Sequence, residues 1–430
     1  MMVTEKNQIG NEKEQTREIK TGARGPVQRT ERTLAPDLAR GAMLLFIALA
    51  NSVGFFMPFE PGFDTTPHGV ERGWNFLMNV LIHARAFPMF GVMFGYGLIQ
   101  LTQRQDAASG NPLVARKVLL KRNGWLILFG FLHAALLYYG DFLGGYGIVG
   151  ILITLLLLRR GARVHAIALW IQGLYLLFTI VLAVLVVLGL THDTHGTATL
   201  PGNTISSLSS PDYLSSVMAR LSEWPIHTLT LLGLILIVWL GVWAARHRIL
   251  EEPARHVGKL VVGTMLGLGV AIGGGVPMGL FSAGYLHPDE QTLQLITILH
   301  QVSGMFGGMG FVSLFGLISL ALMKRSAAPR ANLFVGALAA LGQRSLSGYL
   351  FQSLSWVLLA SPYTLALGSK TSSPTFVAAG CSVAVWLVTV AAAGLMQRCS
   401  YRGPAETLLR RLTYGKQHTP RPSSQVQQHL

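Results

Sequence analysis

From about residue 39 onward the chain alternates between long apolar runs and short polar clusters. Runs such as Ala166 to Leu190 and Leu295 to Met323 exceed what a soluble core helix needs. Each matches the ~20 apolar residues that cross a ~30 Å hydrocarbon core as a helix. Reading the pattern along the chain predicts spans near 39–58, 75–101, 123–140, 143–158, 165–190, 227–245, 260–286, 295–323, 343–361 and 375–397. The fourth is short, and 331–341 reads as an interfacial helix leading into the ninth. The expected fold class is all-α, a polytopic membrane protein of about ten transmembrane helices.

The polar clusters between the runs set an orientation. Lys and Arg gather on the cytoplasmic side of membrane proteins. With ten spans and both ends inside, cytoplasmic segments hold 30 of the 34 Lys and Arg residues. The far side keeps only Arg72, Arg220 and Lys370, and Arg85 lies within the second span. The chain is 51% apolar and 12% charged, with mean hydropathy +0.46. Its pI of about 10.2 therefore reflects topology and anionic headgroups rather than nucleic acid. The partner expected from this pattern is the bilayer, with self-association left open.

Residues 1–35 are polar and charged with no apolar h-region, so the first run reads as a retained span. This segment and 414–430 read as disordered tails. Between them lie an N-terminal four-helix unit (36–160), a middle (161–292) and a C-terminal unit (293–413). Thr191 to Trp224 is the longest translocated loop, either covering a site or loosely held. Cys381 and Cys399 imply nothing about redox, no Cys or His spacing reads as a metal site, and no P-loop is present.

Ionisable residues inside spans are costly and mark candidate functional positions. GFLHAALLYYGDFLGGYGIVG carries His133 and Asp141, eight residues apart across the junction of the third and fourth spans. On an unbroken helix they would share a face about 12 Å apart. Asp37 and Arg40 start the first span, either as a cap with a basic anchor or as a ligand pair. Asn51 lies three turns further on and must either link helices or line a wet cavity. Arg85, after Asn79 and His83, needs a counter-charge, a polar cavity or the interface; Asp141 and Asp37 are the candidate carboxylates. Gly263/Gly267 and Gly304/Gly308 read as close helix packing, with a broken helix around Gly273–Pro277 as the alternative. His300 and Gln301 read as interfacial. Tyr349 and Gln352 are polar tips one turn apart, and Arg344 sits at the start of the ninth span. CSYRGPAETLLRRLTYG reads as an amphipathic surface helix, with Leu408, Leu409 and Leu412 toward lipid and Arg410 and Arg411 at headgroups.

In order along the chain, DLARG with Asn51, the basic residue and FGVMFGYGL of the second span, the His133–Asp141 stretch, LGQRSLSGYLFQSL and YRGPAETLLRRLT resemble the YeiB-like family of bacterial membrane proteins. These segments cover 33–160 and 293–413; the middle matches in hydropathy. The family is similar, more distantly, to the transmembrane acyltransferases that include heparan-α-glucosaminide N-acetyltransferase. That resemblance implies a multi-pass protein of the bacterial cytoplasmic membrane, taking an acyl group from cytoplasmic acyl-CoA to a small-molecule or glycan acceptor of the envelope, such as a sugar, without a metal. His133 and Asp141 carry over from the YeiB-like motif, and His68 corresponds to the lysosomal enzyme's loop histidine with different spacing. Asp37, Arg40, Asn51, Arg85 and Arg344 are implied as donor-binding residues. Two departures stand out: Gly348 replaces an Asn of the family pattern, and Gln343 stands where its Arg falls. A proton-coupled transporter or lipid flippase is the competing reading of the same buried charges.

Overall fold

The computed structural model describes residues 33–59, 63–192, 196–200, 202–326 and 328–415. The expected tails lie outside these residues except at their inner ends, which are helical. Among the described residues there is no β-strand, only an isolated bridge between Phe59 and Thr204. The helices are α1 Leu34–Phe56, α2 Val70–Leu81, α3 Ala86–Ser109, α4 Pro112–Leu136, α5 Leu143–Leu152, α6 Ala162–His192 and α7 Tyr213–Thr230. They continue with α8 Ile235–Arg246, α9 Val257–Ser282, α10 Glu290–Arg325, α11 Leu333–Gln343, α12 Ser345–Ala360, α13 Pro374–Arg398 and α14 Pro404–Tyr414. A π-helical turn, Ile153–Leu157, extends α5, and a tight 3₁₀ turn, Leu231–Leu234, joins α7 to α8.

Helix starts follow local chemistry. Asn111 accepts from Leu113 N at 2.9 Å, with Pro112 in the first turn of α4. Asp212 and Asp289 cap α7 and α10 in the same way, at 2.9 and 2.8 Å. Their backbone and hydroxyl donors hold both carboxyls below the usual carboxylate range.

Among the described residues, seven segments are long and apolar enough to cross a membrane: α1, α2–α3, α6, α7–α8, Pro253–Ser282, α10 and α13. The expected third, fourth and ninth spans fall on helices that miss this measure. α4 carries Arg116, Lys117, Lys121 and Arg122 in its first half. α5 with its π turn covers Leu143–Leu157, and α12 has 16 residues.

Several local expectations are corrected. The loop foreseen up to Trp224 holds a short helical turn, Ser206–Ser209, and gives way to α7 at Tyr213, so the helix carrying the sixth span begins well before residue 227. The 331–341 stretch forms α11, with Leu338, Ala339, Ala340 and Leu341 buried between α1 and α13. α9 runs unbroken through Gly273–Pro277. The break lies in the second span instead, at residues 82–85, where Ala84 has φ 62°. Pro88 explains its position. In a continuous helix its ring would meet the carbonyl of residue 84 and supply no N–H to it.

Between membrane helices, association depends on close packing of small residues rather than on apolar transfer. α3 and α8 cross where a Cβ on Gly95 would lie 1.9 Å from the Val238 carbonyl oxygen, and one on Gly241 would lie 2.0 Å from that of Val92. Gly267 and Gly310 do the same for α9 and α10. Gly241→Leu should force the α3–α8 backbones apart. Overpacking of this kind costs on the order of 1–3 kcal/mol. Heat challenge in detergent followed by size exclusion should show a lower midpoint than wild type, whereas Gly233→Ala, with open space around it, should not.

Candidate active site

α4 ends one turn after His133, whose carbonyl accepts from Leu137 N at 2.8 Å and Tyr138 N at 3.1 Å. The chain turns and Asp141 caps α5, its Oδ2 accepting from Gly144 N at 2.7 Å. The other oxygen, Oδ1, lies 3.0 Å from His133 Nδ1. This is a close approach at ion-pair distance, not an aligned N–H···O bond. His133 Nε2 lies 2.8 Å from Ser353 Oγ on α12, and the His133 ring centroid is 4.8 Å from that of Tyr349. His133, Asp141 and Ser353 are all buried, at 3%, 0% and 1% exposure. A helix end, a helix start and a third helix thus meet in an Asp–His–Ser line.

Beside this line is a cavity of about 780 Å³. Its inner part is aromatic and apolar, with Phe87, Phe90, Phe142, Tyr146 and Tyr349 in the wall. Its mouth is rich in arginine: Arg40, Arg104 and Arg122 from α1, α3 and α4, Arg248 after α8, and Arg344, Arg402 and Arg410 near α12 and α14. The three carboxylates in the wall are engaged. Asp37 Oδ2 is 3.0 Å from Arg330 and accepts from Gln343 Nε2 at 2.9 Å. Glu251 accepts from Gln100 Nε2 at 2.8 Å and from the Tyr96 hydroxyl. Glu406 accepts from Leu346 N, Ser347 N and the Ser347 hydroxyl, so it caps α12 from α14. Burial pushes the Glu406 carboxyl up and that of Glu251 up to about 7, with Glu252 adding to the latter.

The expected site residues separate into three groups. Asp37, Arg40 and Arg344 line the cavity, but Asp37 is held by Arg330, and Arg344 donates to Ala340 O, Tyr401 O and Gln397 Oε1. Arg40 donates to Met93 O at 3.2 Å. His133 and Asp141 stand behind Tyr349 and Phe142, one residue layer from the cavity. Asn51, Arg85 and His68 are outside its wall. Asn51 is half-buried, and the buried hydroxyl contact joining α1 to α13 is made next to it, by Ser52 with Ser382 at 2.7 Å. His68 is exposed in the α1–α2 connection.

Arg85 meets neither candidate carboxylate. It is fully buried at the helix break and donates to His83 O and Ala271 O, both at 2.7 Å. His300 Nδ1 lies 3.0 Å away and His300 is buried, while Gln301 is exposed. Backbone carbonyls, the His300 ring and Ser303 Oγ meet the two terminal nitrogens of Arg85, while its Nε is buried without a hydrogen-bond partner among the described residues. α14 is also corrected. Leu408 is exposed as expected, but Leu409 and Arg410 face the cavity, so this helix closes the mouth rather than only resting on lipid.

Sequence reasoning missed Ser353, Arg104 and Glu251. Ser353 is one of several serines in SLSGYLFQSLSW, and nothing local marks it. At the opposite end of the bundle, Glu223 Oε2, Trp224 Nε1, His227 Nε2 and Thr228 Oγ1 are buried without a hydrogen-bond partner among the described residues. They sit on α7 next to Tyr139 and Phe142, whose rings lie 6.0 and 5.7 Å from that of His227.

Residues 244–416 match a family described as DUF418, protein of unknown function. Over 417 residues the chain is 25% identical to the uncharacterized protein YxaH of Bacillus subtilis (strain 168), covering 90% of this chain and 96% of that one. Over 410 residues it is 25% identical to the uncharacterized protein YeiB of Escherichia coli (strain K12), covering 89% and 96%. The likeness therefore extends beyond 33–160 and 293–413 into the middle. No solved structure matches. The chain is thus similar to YxaH and YeiB over most of its length, and among its described residues it carries several helices long and apolar enough to cross a membrane.

Proposed function

We propose that the protein is a membrane-embedded acyltransferase of the bacterial cytoplasmic membrane, with ten spans and both termini in the cytoplasm. It moves an acyl group from cytoplasmic acyl-CoA to an envelope acceptor such as a sugar. One observation carries this reading: an arginine-rich mouth leads to an aromatic cavity whose inner wall, at Tyr349, is backed by the buried His133–Asp141 pair. Phosphate groups suit the mouth, where arginine forks make charge-assisted bonds. The apolar inner part suits the thioester arm. The Tyr349 ring must turn aside for the thioester carbon to meet the base. His133 then takes the proton of the attacking group, with Asp141 facing its other ring nitrogen. The acceptor approaches from the opposite end, past Tyr139 and His227.

Proton-coupled transport or lipid flipping is the second reading. It draws on Arg85 buried at the break between α2 and α3, since interrupted helices with a buried charge occur in transporters. Thermal shift of purified protein separates the two. Acetyl-CoA should raise the midpoint in wild type and less in Arg122→Gln. No shift with acetyl-CoA or a long-chain acyl-CoA, together with no release of free CoA, sinks the acyltransferase reading.

A further inference from the structure

We infer that Ser353 is the nucleophile of a two-step reaction, carrying the acyl group as a serine ester between donor and acceptor. This rests on the acyl-transfer reading and names a residue that reading leaves without a role. Asp141, His133 and Ser353 fall in the order of an Asp–His–Ser relay, with the Asp–His approach a close contact rather than an aligned bond. Asp141 Oδ1 is 3.0 Å from one imidazole nitrogen of His133, and Ser353 Oγ is 2.8 Å from the other. In such relays the imidazole removes the hydroxyl proton, and the carboxylate fixes the ring and offsets its charge.

The alternative role for a buried serine is to satisfy a neighbour. Membrane hydroxyls here usually bond a carbonyl one turn back on their own helix. Thr102 bonds Leu98 O, Thr154 bonds Gly150 O, and Ser355, two residues further on, bonds Phe351 O. Ser353 instead points across to a histidine on α4. Asp141 is likewise more than a cap, since one oxygen holds α5 and the other faces the imidazole. Ser353 lies one turn beyond Tyr349 on α12, about 6 Å deeper than the residue that closes the cavity. Behind the Tyr349 ring lie the His133 imidazole and, on its Nε2, Ser353 Oγ.

The step balances as follows. Ser353 Oγ bonds to the thioester carbon while its proton passes to His133 Nε2. The C–S bond breaks, and the thiolate takes that proton to leave as free CoA. An acceptor hydroxyl then attacks the serine ester carbon and gives its proton to His133 Nε2. The C–O bond to Ser353 breaks, and its oxygen regains the proton. No oxidant, reductant or further reagent is needed.

The test uses the full chain in lipid nanodiscs. Wild type is mixed with acetyl-CoA, quenched in acid and weighed intact. A fluorophosphonate probe is applied in parallel, because it labels an activated serine whether or not acyl-CoA is the donor. The expected result is an acetyl adduct and a probe adduct, both mapping to Ser353. Both should be lost in Ser353→Ala, with acetyl transfer down ~10²-fold or more. Ser353→Cys should hold the acyl group as a thioester that hydroxylamine releases at neutral pH. Thermal midpoints near wild type establish that both variants fold. Transfer in Ser353→Ala within a few-fold of wild type, or adducts mapping elsewhere, overturns the proposal. Wild type that takes the probe at Ser353 but releases no CoA leaves an activated serine and removes acyl-CoA as its donor. Wild type that takes neither adduct overturns the nucleophile itself.

Discussion

His133→Ala should abolish most acyl transfer while the protein still folds and binds CoA. A general base contributes ~10²–10⁴-fold to rate, so steady-state turnover should fall within that range. The CoA-induced thermal shift should survive, because the arginine mouth lies a residue layer away from the imidazole. His133→Gln should do little better, since an amide keeps hydrogen bonds to Ser353 but is a negligible base. Asp141→Asn should lower turnover by a smaller factor and also lower the thermal midpoint, because Asp141 both faces His133 and caps α5. His68→Ala is the control. It is exposed outside the cavity wall, so its loss should leave turnover near wild type. If His68→Ala stops the reaction and His133→Ala does not, the catalytic assignment moves to the α1–α2 connection.

Much of the fold was legible as hydropathy. The seven long apolar segments coincide with predicted spans because each buries or exposes an almost wholly apolar surface. The three predicted spans that miss the length and composition measure carry the candidate chemistry. α4 brings His133 and the basic turn with Arg122, α5 follows Asp141, and α12 brings Tyr349 and Ser353. α5 with its π turn and α12 miss the measure by length, and α4 carries a basic first half, so the spanning signal is weakest around the site. Spacing could place His133 and Asp141 near one another because they are close in sequence. Ser353 is 220 residues from His133, and no periodicity reports a partner that distant. Arg85 was recognised as needing partners. That they are carbonyls together with His300 and Ser303 at a helix break depends on how α9 and α10 pack, which a single sequence does not encode locally.

Anion affinity of the cavity should fall as pH rises through about 7, and Glu251→Gln should remove most of that dependence. Glu251 lies between α8 and α9 in the cavity wall, and burial raises its carboxyl to about 7. Below that value the group is neutral, and the Tyr96 and Gln100 contacts tolerate it. Above it a carboxylate shares the mouth with arginines that would hold phosphates, and it opposes a polyanion. One charge roughly 10 Å from the phosphates at an effective dielectric of ~20 is worth on the order of 1–2 kcal/mol, or about tenfold in affinity. Titrating CoA into nanodisc-embedded protein from pH 6 to 8 should show weakening of that size in wild type. The sign also fixes stability. Glu251 binds its proton more tightly folded than unfolded, so its contribution declines as pH rises from the ordinary carboxylate range through 7. Glu251→Gln should therefore flatten both the CoA-binding and the thermal-midpoint profiles over the same interval. A wild-type affinity unchanged from pH 6 to 8, or a Glu251→Gln profile as steep as wild type, would remove Glu251 from control of the mouth.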